Sequence, residues 1–121
     1  MVIIGAPRTK KNHGSIVRAG GTGRMRVMPS EAYRRWESVA VPQMRIYWAG
    51  RKAVNWPVNV RAIFYRDANR GDAVGYYQAL ADALQKAGVV VDDKWIWSWD
   101  GSRMEKDAAK PRVEVEITEA A

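Results

Sequence analysis

Hydrophobic positions repeat along the chain with two different periods, and each change of period marks a new element. Between Val74 and Ala87 the apolar residues Val74, Tyr77, Ala81, Leu84 and Ala87 recur every three or four positions. This spacing predicts an amphipathic helix with one buried face. Its ends carry matching signals. Asp72 stands where an N-cap carboxylate accepts from the free N–H groups of the first turn. Lys86 in the last turn suits the helix dipole, and Gly88 supplies a left-handed stop. Val89, Val90 and Val91 are β-branched and too few for a helix, so they predict a short buried strand. Asp92 and Asp93 follow at its end.

Period-two stretches lie on both sides. Val58, Val60, Ala62 and Phe64 alternate with Asn59, Arg61, Ile63 and Tyr65, which predicts a strand over 58–66 followed by a turn through Gly71. Val113, Val115 and Ile117 point inward in a last strand over 112–118, with 118–121 fraying. Residues 2–4 form a first strand, closed by Gly5 and Pro7. In Lys94 to Trp99, alternation puts Trp95, Trp97 and Trp99 on one face of a strand, where they fill a core, meet a second subunit or stack on bases. Residues 104–110 are charged and predicted to be exposed. A second helix opens at Ser30, its N-cap, and carries Tyr33, Trp36, Glu37, Ala40, Met44 and Tyr47 as a stripe for core or dimer packing. Pro42 falls inside it, to kink or split it. The sum is one domain over 1–121 that combines several strands with two main helices.

Charge narrows the partners. The 121 residues carry a formal net charge of +7, which favours a polyanion, nucleic acid first. Six of the cations, Arg8, Lys10, Lys11, Arg18, Arg24 and Arg26, fall in a glycine-rich stretch without one acidic residue. Residues 8–28 therefore predict a flexible basic loop or hairpin that contacts phosphates. There is no cysteine, which excludes disulfides and thiolate zinc sites and fits a reducing compartment. His13 is the single histidine and a poor zinc candidate. No apolar run approaches the roughly 20 residues of a bilayer span. The N-terminus has its charges after its apolar run, the reverse of a secretory signal.

The carboxylates are the candidate chemistry. A helix and a tight return bring Asp92 and Asp93 back toward Asp72. Three converging carboxylates repel one another unless a hard divalent cation or a basic partner lies between them. Arg66 and Arg70 precede Asp72, and Lys94 follows Asp93. Cations around an acidic centre are what phosphodiester cleavage requires, because the substrate is an anion.

The order of Asp72, Ala79-Leu-Ala-Asp-Ala-Leu84, Lys86-Ala-Gly88, Val91-Asp-Asp93 and a last strand ending in Val-Glu-Ile-Thr118 resembles the RusA-type Holliday junction resolvases over nearly the whole chain. The opening Pro7-Arg-Thr-Lys-Lys-Asn12 is similar more loosely. The resemblance implies an α+β fold, a small mixed β-sheet with two main helices packed on it, and a homodimeric, magnesium-dependent endonuclease, with manganese as a substitute. Such an enzyme works in the cytoplasm of a bacterial or phage-infected cell, and nicks four-way DNA junctions in pairs during recombination and repair. It implies Asp72 and Asp93 as metal ligands with Asp92 beside them. The family pattern Asp-x-Asp-Asn followed by Lys is only partly present: Val74 replaces the second acid, Gly75 the Asn and Gln78 the Lys. Asp67 and Asp100 are further candidates to complete the ligand set. Two alternatives stand beside the nuclease: a non-catalytic junction-binding homodimer with a degenerate metal site, and a structural phage component.

Overall fold

A computed structural model describes residues 1–10, 16–19, 24–27 and 30–120. In chain order the elements are β1 (Val2–Ile4), β2 (Ile16–Ala19), β3 (Arg24–Val27), α1 (Glu31–Trp48), β4 (Val58–Arg66), α2 (Ala73–Lys86), a 3-10 turn (Asp93–Trp95), β5 (Ile96–Ser98), β6 (Arg103–Lys106) and β7 (Arg112–Glu119). This is the expected α+β arrangement, a mixed sheet with two helices.

The main sheet runs β1-β7-β4, with β5 and β6 both against the far edge of β4. β7 pairs antiparallel with β4 from Val58↔Glu119 to Tyr65↔Arg112. β5 lies parallel to the start of β4 and β6 parallel to its end. β4 thus has both edges satisfied, and a strand in that position reads as nearly continuous apolar residues. Val58, Val60, Ala62 and Phe64 join the core, as the alternation predicts, and Ile63 on the opposite face is buried as well. β2 and β3 form a separate antiparallel hairpin, with Ile16 opposite Val27 and Ala19 opposite Arg24. Lys11 and His13 lie outside the described residues.

α1 is one helix despite Pro42, capped by Ser30, whose side chain accepts from the Tyr33 N–H. Tyr33, Trp36, Ala40, Val41 and Met44 are buried, while Tyr47 at the end of the predicted stripe is exposed. α2 has the predicted ends and a buried face wider than the predicted stripe. Of that stripe Ala81 and Leu84 are buried, Tyr77 and Ala87 pack against the core, and Val74 is 62% exposed. Tyr76, Ala79, Leu80 and Ala83 are buried beside them, so the helix is apolar over much of its circumference.

Three expectations need correction. Val89–Val91 makes a single bridge, Val54↔Val90, rather than a strand, and Val91 is exposed. The tryptophan strand is cut short because Asp92 caps a 3-10 turn, its side chain accepting from the Lys94 N–H. Trp95 belongs to that turn, Trp97 is 67% exposed, and the three rings share no face. The charged segment 104–110 is largely exposed as expected, and its first part forms strand β6 along the edge at the end of β4. Thr118 and Glu119 are paired to β4, and the Ala120 N–H donates to the Pro57 carbonyl, so the chain does not fray at 118.

The end of α2 is a Schellman closure: the Val89 N–H donates to the Leu84 carbonyl at 2.9 Å and the Gly88 N–H to the Gln85 carbonyl at 3.1 Å. Gly88 has φ +78° and open space around it, so its role is purely conformational. Gly71 has nearly the same φ, +77°, but a Cβ there would lie 2.9 Å from Thr9 Cγ2 and 3.0 Å from the Tyr76 ring. Gly88→Ala is therefore expected to lower stability by about 1–2 kcal/mol. Gly71→Ala should cost more, since steric overlap adds to the backbone term. Urea unfolding checks this as a shift of midpoint at constant slope.

Candidate functional site

The turn between β4 and α2 is built from ion pairs. Arg8 grips Asp67 with both terminal nitrogens, at 3.0 and 3.2 Å, and Arg70 reaches the same carboxylate at 3.4 Å. The Arg8 hydrogen bonds foremost, then the charges of Arg8 and Arg70, hold the Asp67 carboxyl below its usual value against a modest desolvation. Arg66 donates to the Arg70 carbonyl and the Asn69 side chain, and its guanidinium lies over the Tyr76 ring. Tyr76 in turn donates its hydroxyl to the Arg70 carbonyl at 2.6 Å. The fork geometry of arginine suits this work, because one planar group satisfies several acceptors.

Asp72 leaves this turn as the N-cap of α2, its Oδ1 accepting from the Gly75 N–H at 2.8 Å. Thr9 packs against the same corner; a Cβ on Gly75 would lie 2.7 Å from that Oδ1 and 3.0 Å from Thr9 Cγ2. The absence of a side chain at position 75 lets the N-terminal segment cross the helix here. Asp72 lines a cavity of about 380 Å³ together with Arg8, Thr9, Ser30 and Arg70.

Asp93 lies elsewhere along the helix. Its backbone N–H donates to the Gln85 side chain at 3.1 Å, and it lines a larger cavity of about 560 Å³. The wall of that cavity is the face of α2 carrying Val74, Tyr77, Gln78, Ala81 and Asp82, which are four-residue neighbours on one side of a helix. Lys10 closes the rim and pairs with Asp82 at 2.6 Å. Ile96 and Trp99 complete the lining. Trp99 stacks on Tyr77 with ring centroids 4.8 Å apart and planes 7° apart, and Tyr77 rests on Phe64 at 5.9 Å.

The structure brings Asp92 and Asp93 together, with Asp82 nearby. Desolvation first, then the hydrogen bond and charge of Asp92, then the charge of Asp82, push the Asp93 carboxyl up. Asp92 is held down, chiefly by the Lys94 backbone N–H at 2.9 Å. Asp72 does not enter this cavity, so the convergence predicted for all three carboxylates gives way to two separate acidic positions. The cause is the return path. It runs through the Schellman closure and the 3-10 turn and brings Asp93 beside Gln85 and Asp82, in the second half of α2. Among the described residues no three histidine, aspartate or glutamate side chains group closely enough to hold a metal ion together.

The remaining candidates are distributed as follows. Asp67 is committed to Arg8 and Arg70. Asp100 is exposed, and its backbone is held by Asn59. Lys94 lies over the Trp95 ring at 5.3 Å. Arg18 is in β2, and Arg24 and Arg26 are in β3. Asp82 is the residue that sequence reasoning passed over. Its signal was its spacing, four residues after Gln78 and eight after Val74.

Two adjacent carboxylates that share one turn repel, which is part of what raises Asp93, and Asp82 nearby is paired with Lys10. Magnesium can be held by one or two carboxylates when substrate phosphates and water supply the rest of its shell. Neither family models nor curated proteins match this sequence. Among the described residues no helix is long and apolar enough to cross a membrane.

The Arg8–Asp67 contact has a measurable pH signature. The Asp67 carboxyl titrates below its ordinary 3.8 in the folded chain, so its stabilisation is complete above that value. It is lost as the pH falls through the depressed folded value. Melting temperatures of the wild type and Asp67→Asn should differ at neutral pH and converge in acid, as followed by circular dichroism.

Proposed function

We propose that this protein recognises branched DNA and nicks it as a metal-dependent endonuclease of the four-way-junction type. The observation that carries the reading is Asp93, set with Asp82 and Lys10 in a cavity along α2 and raised by its neighbour Asp92. It joins a net charge of +7 to a cluster of carboxylates, and a protein that bound DNA by charge alone would have no use for the cluster. The sequence order shared with the RusA-type resolvases gives the reaction its class.

In this reading Asp93 and Asp92 hold a magnesium ion, with manganese able to replace it. When bound, the ion supplies Lewis-acid polarisation of the scissile phosphate and a water of lowered pKa. The protein's own groups do the rest. Lys10, which the structure pairs with Asp82, offsets phosphate charge at the cavity rim. Lys94 stands beside Asp93 for the same purpose. The basic segment carrying Lys11, Arg18, Arg24 and Arg26 engages the flanking duplex and gives binding its dependence on salt. Arg8, Arg66 and Arg70 act through the turn they brace, and so position α2. A two-fold homodimer puts two such sites on one junction, as paired nicking requires.

A second reading is a junction-binding protein without nuclease activity. It is favoured by the replacement of the family's second acid and lysine by Val74, largely exposed, and Gln78, and by the engagement of Asp72 as a cap.

Titration of magnesium or manganese against a labelled four-way junction separates the two. Nicking is expected, and Asp93→Asn should reduce it by about 100-fold, because losing a ligand costs at least as much as losing its hydrogen-bond support. Asparagine caps a helix as well as aspartate does, so Asp72→Asn should leave stability within about 0.5 kcal/mol of wild type. Nicking that falls equally in Asp72→Asn would add Asp72 to the ligand set. Junction binding with no nick at any metal concentration would leave the second reading.

A further inference from the structure

The large cavity along α2 is more than an acidic patch. Its floor is aromatic and apolar: Trp99 and Tyr77 stack face to face, and the stack continues inward to the fully buried Phe64. Tyr77 and Trp99 both remain half-buried while lining the cavity, so this ladder of rings runs from the core to an open wall. The rim is polar: the exposed Gln78 presents one donor group and one acceptor, Asp93 offers carboxylate oxygens, and Lys10 brings a cation. The volume of about 560 Å³ lies within the ordinary range for small organic ligands.

We propose that this cavity takes a single unpaired nucleobase, stacked against the Trp99–Tyr77 wall with its polar edge on Gln78 and Asp93. The ligand follows from the combination. A flat π-face asks for an aromatic wall. The donors and acceptors on the edge of a base ask for an amide and a carboxylate. The phosphate beside that base asks for a cation, which Lys10 supplies. A bare phosphodiester backbone uses the cation and leaves the rest of the cavity idle. A purely apolar ligand leaves Gln78 and Asp93 without partners.

Val74 fits this use. A charged side chain at this exposed place on the wall would attract water to the stacking surface, whereas valine keeps it apolar. At a branch point the arms of DNA meet with strained or broken stacking, so extruding one base there costs less than it does within a duplex. The inference takes its ligand from the branched-DNA reading, and the site itself stands on the cavity's own chemistry.

The test compares two labelled four-way junctions by fluorescence anisotropy at low salt. One carries an extra unpaired thymine at the branch; the other has an abasic residue in its place. A five-nucleotide single strand, with thymine or an abasic residue at its centre, serves as a second pair of probes. Wild-type protein is expected to bind each thymine probe about tenfold more tightly than its abasic counterpart. Trp99→Leu should bring that ratio down to about one. Gln78→Leu, at an exposed position where folding is not at stake, should reduce the ratio by about threefold. Circular dichroism verifies that both variants are folded. Equal affinity for thymine and abasic probes in the wild type, or a ratio untouched by both variants, overturns the nucleobase site. A ratio present on the single strand, combined with junction affinity no better than for duplex of equal length, keeps the nucleobase site and overturns the branched-DNA reading.

Discussion

Strand β4 is hydrogen-bonded along both edges, and this double pairing places everything else that carries chemistry. β7 occupies one edge over nearly its full length, and β5 and β6 share the other. With no free edge and an apolar face against the helices, β4 has almost no freedom to shift register, since a slip of one residue would turn Phe64 and Val60 away from the core. The end of the strand delivers Arg66 and Asp67 to the turn that starts α2. Near its start, Asn59 accepts from the Ser98 hydroxyl at 2.6 Å and from the Asp100 N–H at 2.8 Å. That clasp fixes the segment bearing Trp99. Both parts of the large cavity's lining are thus registered from the same strand, one through α2 and one through Asn59.

The helix α2 divides two functions between its faces. Tyr76, Ala79, Leu80, Ala83 and Leu84 hold it to the core. The adjoining face, with Val74, Tyr77, Gln78 and Asp82, is left to line the cavity. A helix that is apolar over so much of its circumference ordinarily lies deep in a protein. Here the surplus becomes the apolar wall of a site, and Gly75 permits Thr9 and the following residues to cross its start. The excess positive charge is used unevenly. Arg8, Lys10 and Lys86 each bind a carboxylate, so their first effect is to tie the N-terminal segment and α1 to the rest of the domain. The exposed Lys10–Asp82 pair contributes little to stability by itself. Its value lies in fixing the geometry of the cavity rim.

What the sequence determined by itself was local. The two ends of α2, strands β4 and β7, the cap at Ser30 and the hairpin β2–β3 were all legible. Each depends on hydrogen bonds or side-chain alternation within a few residues, as with Asp72 to the Gly75 N–H or Gly88 in its left-handed turn. The basic character and the acidic doublet were equally plain. Tertiary structure decided the rest. How far the buried face of α2 extends beyond the predicted stripe, to Tyr76, Ala79, Leu80 and Ala83, was set by what packs against it. Whether Arg103–Lys106 became a strand depended on the vacant edge of β4, since nothing in that charged segment signals pairing. Whether Asp72 met Asp93 depended on the direction of the chain after Gly88, where a Schellman closure and the Asp92-capped turn set Asp93 beside Asp82 instead. Short-range patterns report the bonds a segment makes with itself. Where two distant carboxylates come to rest is settled by packing among elements far apart in the chain, which no local pattern encodes.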